Sequence, residues 1–131
     1  MNIRLTMVSG LLLALSFLPL AQASPPDSAQ VEINYLLGFI EVSGCQFYRN
    51  GSWYDSKRAQ AHLRNKYEAL ASRNLIKTAE DFIDLGASES SMSGRPYEIR
   101  CGECKSVTTG PWLHDVLTRY RVVASRKTKA L

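Results

Sequence analysis

The sequence predicts a small α+β domain with about four helices and a minimal antiparallel sheet, made of one hairpin and one further strand and stabilised by a disulfide bond. Three observations lead to this prediction. Apolar residues recur at helical spacing in several separate segments. Aromatic residues flank Asn50-Gly51, the strongest short signal for a hairpin turn. Three cysteines follow a segment typical of exported proteins, in which disulfides form.

Residues 1–23 have the pattern of a secretory signal peptide. Arg4 gives a short positive start, Leu5–Leu20 form an apolar run, and small residues place a cleavage site between Ala23 and Ser24. The apolar run is close to the lower limit for a membrane span, but no positive flank follows it, which favours cleavage. We therefore expect an exported protein, periplasmic or secreted, with no membrane span once the signal is removed.

The remaining chain, residues 24–131, has the length of one domain and carries 15 basic and 12 acidic residues, mixed along it. A nucleic-acid-binding protein usually shows a denser basic stripe, so we expect no nucleic acid partner. The sequence divides into a flexible lead-in at 24–30, a single α+β domain at 31–124 and a frayed basic tail at 125–131. Pro26-Asp27-Ser28 in the lead-in is typical of a helix start.

Three longer helices are predicted by apolar residues that recur every three or four positions. Gly44 is a suitable stop for the first helix, Asp55 or Ser56 can cap the second, and Pro111 suits the first turn of the last. The predicted buried faces are formed by Ile33, Leu36, Leu37 and Ile40, by Ala59, Leu63, Tyr67 and Leu70, and by Leu113, Val116, Leu117 and Tyr120.

The sheet is predicted from two strands near Cys45–Arg49 and Ser52–Tyr54, on either side of the hairpin turn. A further extended segment, Pro96–Cys101, places Tyr97 and Ile99 on one face. The segments on either side of this last strand have no periodicity and are interpreted as loops; they read SESSMSG before it and GECKSVTTG after it.

A short helix is predicted between the second long helix and the serine-rich loop. Thr78 and Asp81 form a capping-box pattern, in which each side chain binds the backbone of the other residue, although Asp is shorter than the usual Glu. We expect this helix to bury Phe82, Ile83 and Leu85.

The cysteines, Cys45, Cys101 and Cys104, are odd in number, which leaves one thiol over in an oxidising compartment. A Cys45–Cys101 bridge closes a loop of about 57 residues and is worth roughly 4 kcal/mol in the chain-entropy model, whereas a Cys101–Cys104 bridge closes almost nothing. Stability favours the long bridge, but the spacing leaves open whether Cys45 pairs with Cys101 or with Cys104.

Five ordered segments carry a resemblance to a known family: SGCQFYRNG, AHLRNKY, KTAEDFI, SSMSGRPYEI and WLHDVLTRYR. Together they extend over residues 33–121 and resemble a family of small exported proteobacterial domains of unknown function. The resemblance implies a signal peptide, a single domain and a bridge between Cys45 and Cys101, and it implies no activity. Cys104 departs from the family pattern, which makes it the expected unpaired thiol.

Cys101 and Cys104 belong to a CGEC motif, the spacing used by thiol–disulfide oxidoreductases and by half of a zinc site. A redox pair normally opens a helix, whereas this one follows an extended segment. No second CxxC or His pair completes a zinc site. We therefore expect no metal and no cofactor, and thiol–disulfide exchange through this motif is the alternative function.

A cationic notch is the leading candidate site. Arg58, His62 and Lys66 recur every four residues on one face of the second helix, and Arg49 beside the hairpin turn can approach that face. The serine-rich loop either caps its own backbone or turns its amides towards an anion. The competing interpretation is a solvated helix face. The candidate ligand-binding residues are Arg49, His62, Lys66, Ser91, Ser93 and Arg95.

The leading hypothesis for function is a binding or accessory domain of the bacterial envelope. Its partner is an unknown envelope ligand or protein, and the notch favours an anionic ligand. We assign no catalytic residue, because the serine-rich loop lacks the glycine that a hydrolase nucleophile elbow needs two positions before its serine.

Overall fold

The computed structural model describes residues 25–131, so the predicted signal peptide and its Ala23–Ser24 cleavage site lie outside the described residues. No helix within this range has the length and hydropathy needed to cross a membrane. The fold is α+β, as predicted. Its elements in chain order are α1 (Asp27–Val42), β1 (Gln46–Arg49), β2 (Ser52–Tyr54), α2 (Ser56–Ser72), α3 (Ala79–Phe82), a π-helical turn (Ile83–Ala87), β3 (Glu98–Arg100), β4 (Val107–Thr108) and α4 (Thr109–Lys129).

Strand β1 lies inside the sheet, whose order is β2-β1-β3-β4 with every pair antiparallel. Phe47 of β1 is opposite Tyr54 of β2 and Ile99 of β3. Asn50 (φ 46°) and Gly51 (φ 90°) both have positive φ, as a two-residue hairpin turn requires. The predicted hairpin and third strand are confirmed.

Strand β4 departs from the sequence-based expectation of a loop. Val107 pairs with Ile99, but two exposed residues are too few to show the alternation that identifies a strand. Because α4 begins directly after β4, this pairing determines where Thr109 and Gly110 enter the interior. A Cβ on Gly110 would lie 2.6 Å from Ser88 Oγ, so only glycine allows this close approach.

Most residues of the predicted helix faces form the core together with one face of the sheet. The predicted face of α1 is fully buried, whereas Val31 and Val42 of the same helix are exposed. The predicted faces of α2 and α4 are buried except at their C-terminal ends, where Tyr67, Leu70 and Tyr120 are only half-buried. The central residues of this core are Ile33, Leu36, Leu37, Ile40, Phe47, Leu63, Phe82, Ile83, Ile99, Leu113 and Leu117.

The short helix follows the predicted cap but not the predicted burial. Thr78 Oγ1 accepts from the Asp81 backbone N–H, and Asp81 Oδ2 accepts from the Thr78 backbone N–H, each at 3.1 Å. The prediction that Leu85 is buried is wrong, since its side chain is 50% exposed. The wider spacing of the π-helical turn directs Ile83 and Ala87 inwards and leaves Leu85 on the outside.

The first and last helices extend beyond the predicted domain, residues 31–124. Helix α1 begins at Asp27, within the segment 24–30 interpreted as a lead-in, and Gln30 Nε2 donates to the Pro25 carbonyl at 2.7 Å. Helix α4 continues to Lys129 through the segment interpreted as a frayed tail. Apolar periodicity ends earlier, but basic side chains in the last turn complement the helix dipole.

A disulfide bond joins Cys45 and Cys101, whose Cα atoms are 4.4 Å apart. Cys45 precedes β1 and Cys101 follows β3, so the bond links two strands that are already hydrogen-bonded neighbours. Cys104 is an exposed free thiol. The pairing implied by the family resemblance is confirmed.

Replacing both bridging cysteines, in the variant Cys45→Ala/Cys101→Ala, should lower the free energy of unfolding by about 2–5 kcal/mol, because the denatured chain loses a long cross-link. Urea denaturation of the oxidised proteins measures this. Cys104→Ser is the matched control and should unfold like the wild type. A double variant as stable as the wild type would contradict a structural role for the bridge.

Candidate functional site

A pocket of about 210 Å³ opens between the β1–β2 hairpin and α2. Arg49, Arg58 and His62 are among its polar residues, and most of the other lining residues are aromatic or aliphatic. The hairpin, α2, the residue before β3 and the start of α4 all contribute side chains. The full lining is Phe47, Tyr48, Arg49, Tyr54, Arg58, Ala59, His62, Leu63, Tyr97 and Thr109.

Arg49 and His62 are in direct contact, although they lie on different elements. Arg49 Nη1 is 2.9 Å from Nδ1 and 3.0 Å from Nε2 of the imidazole. An atom at those distances from both ring nitrogens lies over the ring face, because in the ring plane it would overlap the Cε1 atom between them. Arg49 Nη1 therefore contacts the face of the imidazole, which keeps the Arg49 side chain in place at the pocket.

A chain of hydrogen bonds runs from Lys66 through Tyr97 to His62. Lys66 Nζ donates to the Glu89 carbonyl at 2.9 Å and to the Tyr97 hydroxyl at 3.2 Å, and that hydroxyl is 3.2 Å from His62 Nε2. An ammonium group only donates, so the Tyr97 oxygen accepts a hydrogen bond from Lys66.

The protonation of this cluster follows from burial and from like charge. Partial burial, with the positive charges of Arg49 and Lys66, lowers the pKa of His62 below its usual 6.5. Burial and Arg49 likewise lower the pKa of Lys66. Burial raises the pKa of Tyr97, so its hydroxyl stays protonated at neutral pH. His62 is consequently a neutral imidazole at neutral pH.

The positive charges at the pocket have no carboxylate counter-ions in contact. Within residues 25–131 no ion pair includes Arg49, Arg58 or Lys66. The guanidinium carbons of Arg49 and Arg58 instead lie 5.6 and 5.4 Å from the centre of the Tyr54 ring, where the aromatic face provides some electrostatic stabilisation. The site is therefore electropositive and suited to an anion.

The serine-rich loop binds the hairpin turn and not the pocket. Asn50 Nδ2 donates to Ser90 Oγ at 3.0 Å, and Ser93 Oγ donates to Asn50 Oδ1 at 2.7 Å. Ser91, Ser93 and Arg95 are exposed, and none of them lines the pocket. Of the predicted ligand residues, the structure thus brings Arg49, His62 and Lys66 together and leaves these three apart.

Sequence reasoning missed two side chains of the site. The sequence predicts that Tyr97 lies on one face of a strand, and the structure shows that its hydroxyl also reaches His62. Thr109 carried no sequence signal, because only β4 and the close approach at Gly110 bring it to the pocket.

The CGEC motif does not form a dithiol pair in this structure. Cys101 is bonded to Cys45, and the Cys104 backbone N–H donates to the Cys101 carbonyl at 3.2 Å in a turn. In the part of the chain that the structure describes, no group of three or more His, Cys, Asp or Glu side chains could hold a metal ion.

Residues 27–121 match a family of unknown function, DUF5329. The chain belongs to this family. The match includes every residue that lines the pocket and both bridged cysteines, and it confirms the resemblance found in the sequence. No activity comes with membership of DUF5329, so the function must be argued from the pocket.

A curated protein of uncharacterised function is similar to part of the chain. The chain is 41% identical over 69 residues to the uncharacterized protein YfeK of Salmonella typhimurium strain LT2. The aligned part covers 52% of this chain and 56% of that protein, so the chain spans about half the length of the relative. No solved structure matches the chain.

Replacing His62 should change how stability depends on pH. Because the folded-state pKa of His62 is below 6.5, the unfolded chain takes up a proton first as the pH falls below about 6.5. Protonation of His62 therefore lowers the free energy of unfolding as the pH falls below about 6.5. We expect His62→Gln to show a smaller loss of stability, measured by urea denaturation between pH 7.5 and 5. A loss equal to that of the wild type would contradict the depressed pKa.

Proposed function

We propose that this DUF5329 protein is a binding or accessory domain of the bacterial envelope, without catalysis of its own, and that its pocket binds a small anionic ligand. The observation that carries the proposal is the Arg49 guanidinium, which contacts a neutral His62 and meets no carboxylate among residues 25–131. An anion would provide the missing counter-charge.

The neighbouring positive charges lower folding stability when no ligand is bound, and this supports a ligand-binding role. Arg49 and Lys66 both disfavour a proton on His62, and each group is partly withdrawn from water. Like charges held close together reduce folding stability. Small-molecule sites are typically concave and mostly apolar, with a few polar groups. A bound anion would raise the pKa of His62, so binding should be accompanied by proton uptake below about pH 6.5.

Location in the envelope rests on two features of the chain. Residues 1–23 have the signal-peptide pattern, and the Cys45–Cys101 bond is of the kind that persists in oxidising compartments. Mass spectrometry of the mature protein purified from a periplasmic fraction would test both. A chain that retains residues 1–23 and is found in the cytoplasm would overturn this part of the proposal.

The alternative of thiol–disulfide exchange receives no support from the geometry. It requires Cys101 and Cys104 as a pair, and Cys101 is bonded to Cys45 on the neighbouring strand segment. The motif is followed by a turn and β4, so no helix N-terminus lies next to Cys101 to activate it.

Anion binding should depend on Arg49. In buffer of low ionic strength we expect benzoate, acetate or inorganic phosphate to perturb the backbone NMR signals of the pocket, with an affinity that falls as salt is added. Arg49→Gln should weaken binding tenfold or more, because hydrogen bonds to charged groups contribute about 1.5–3 kcal/mol.

The matched control is Arg100→Gln. Arg100 lies on β3, stacked on Trp53 at 4.1 Å and outside the pocket, so this variant removes the same charge without touching the site. It should retain the wild-type affinity. Equal weakening of anion binding in both variants would show that the effect comes from net charge alone. The absence of binding by every probe would refute the proposal.

A further inference from the structure

Two buried polar atoms at the pocket have no hydrogen-bond partner within residues 25–131: Arg49 Nε and Thr109 Oγ1. Thr109 is fully buried, at 0% exposure, and is one of the residues that line the pocket. Buried hydroxyl groups are almost always hydrogen-bonded in native proteins. Both atoms can donate a hydrogen bond, so the complementary ligand group is one that accepts.

Thr109 is also the first residue of α4, a helix of 21 residues. The side chain of Thr108, which precedes it, makes no capping hydrogen bond. The N-terminus of a long helix carries partial positive charge and favours negatively charged groups. Because Arg49 lines the same pocket, the hydrogen-bond acceptor expected at Thr109 is best matched by a negatively charged group.

The rest of the pocket restricts the size and polarity of the ligand. Phe47, Ala59 and Leu63 are buried apolar residues of its wall, and Tyr54 adds an aromatic ring. A phosphate group would place several charged oxygens against carbon atoms that donate no hydrogen bonds, which is unfavourable. A carboxylate presents two oxygens and can be attached to an apolar body that fills the remaining volume.

We infer that the ligand is a monocarboxylic acid with an apolar ring or short chain, whose carboxylate binds Thr109 and Arg49 while its body contacts Phe47, Leu63 and Tyr54. This inference rests on the anion site proposed above and adds the chemical class and the orientation of the ligand. It also gives Thr109 a role in binding, which the sequence did not indicate.

The experiment is an NMR titration of the mature protein with benzoate, acetate, benzamide and inorganic phosphate. Benzoate should bind at least tenfold more tightly than acetate, which lacks the body, and than benzamide, which lacks the charge. Thr109→Val keeps the shape of the side chain and removes its hydroxyl. This variant should weaken benzoate binding tenfold or more. It should also raise the melting temperature of the ligand-free protein, because a buried hydroxyl without a hydrogen-bond partner is removed.

Thr118→Val is the control, since the Thr118 hydroxyl is exposed and donates to the His114 carbonyl within α4. It should leave benzoate binding unchanged. If phosphate or acetate binds as tightly as benzoate in an Arg49-dependent way, this inference is overturned and the anion site stands. If Thr109→Val binds benzoate like the wild type, the orientation is wrong. If no anion binds, both proposals fail.

Discussion

Strand β1 is held on both sides and at one end. It pairs with β2 through the hairpin and with β3 across the sheet, and the Cys45–Cys101 bond joins its N-terminal end to the end of β3. A four-residue strand alone has little stability in water, so the cross-link and the packing of Phe47 in the core fix its register. The other end of β1 carries Arg49, and the position of that guanidinium over α2 follows from this register.

The candidate site lowers the stability of the fold, and interactions elsewhere in the structure compensate for this. Unpartnered buried polar groups such as Thr109 Oγ1 cost about 1–3 kcal/mol each, and the charges of Arg49 and Lys66 make His62 harder to protonate. A domain of this size has a small stability margin. The disulfide offsets these costs, which gives a physical reason for combining a bridged sheet with a pocket that lacks its own counter-ions.

Local patterns predicted most of the fold. The spacing of Ile33, Leu36, Leu37 and Ile40, the Asn50-Gly51 turn and the Thr78 cap each depend on neighbours in sequence. The features that escaped prediction depend on distant contacts: β4 forms only against β3, and Thr109 reaches the pocket only because Gly110 approaches Ser88. The same reasoning placed Arg49, His62 and Lys66 in one site, because helical spacing and a turn are local signals, but it could not foresee that Ser90 and Ser93 bind Asn50.

The most direct test of this account is the titration of His62, followed by nitrogen NMR of the imidazole in the ligand-free protein and with saturating benzoate. The account predicts a ligand-free midpoint below the usual 6.5 and a rise in the midpoint when the anion binds. A ligand-free midpoint at or above 6.5 that benzoate leaves unchanged would contradict the proposal that the pocket is electropositive and binds an anion.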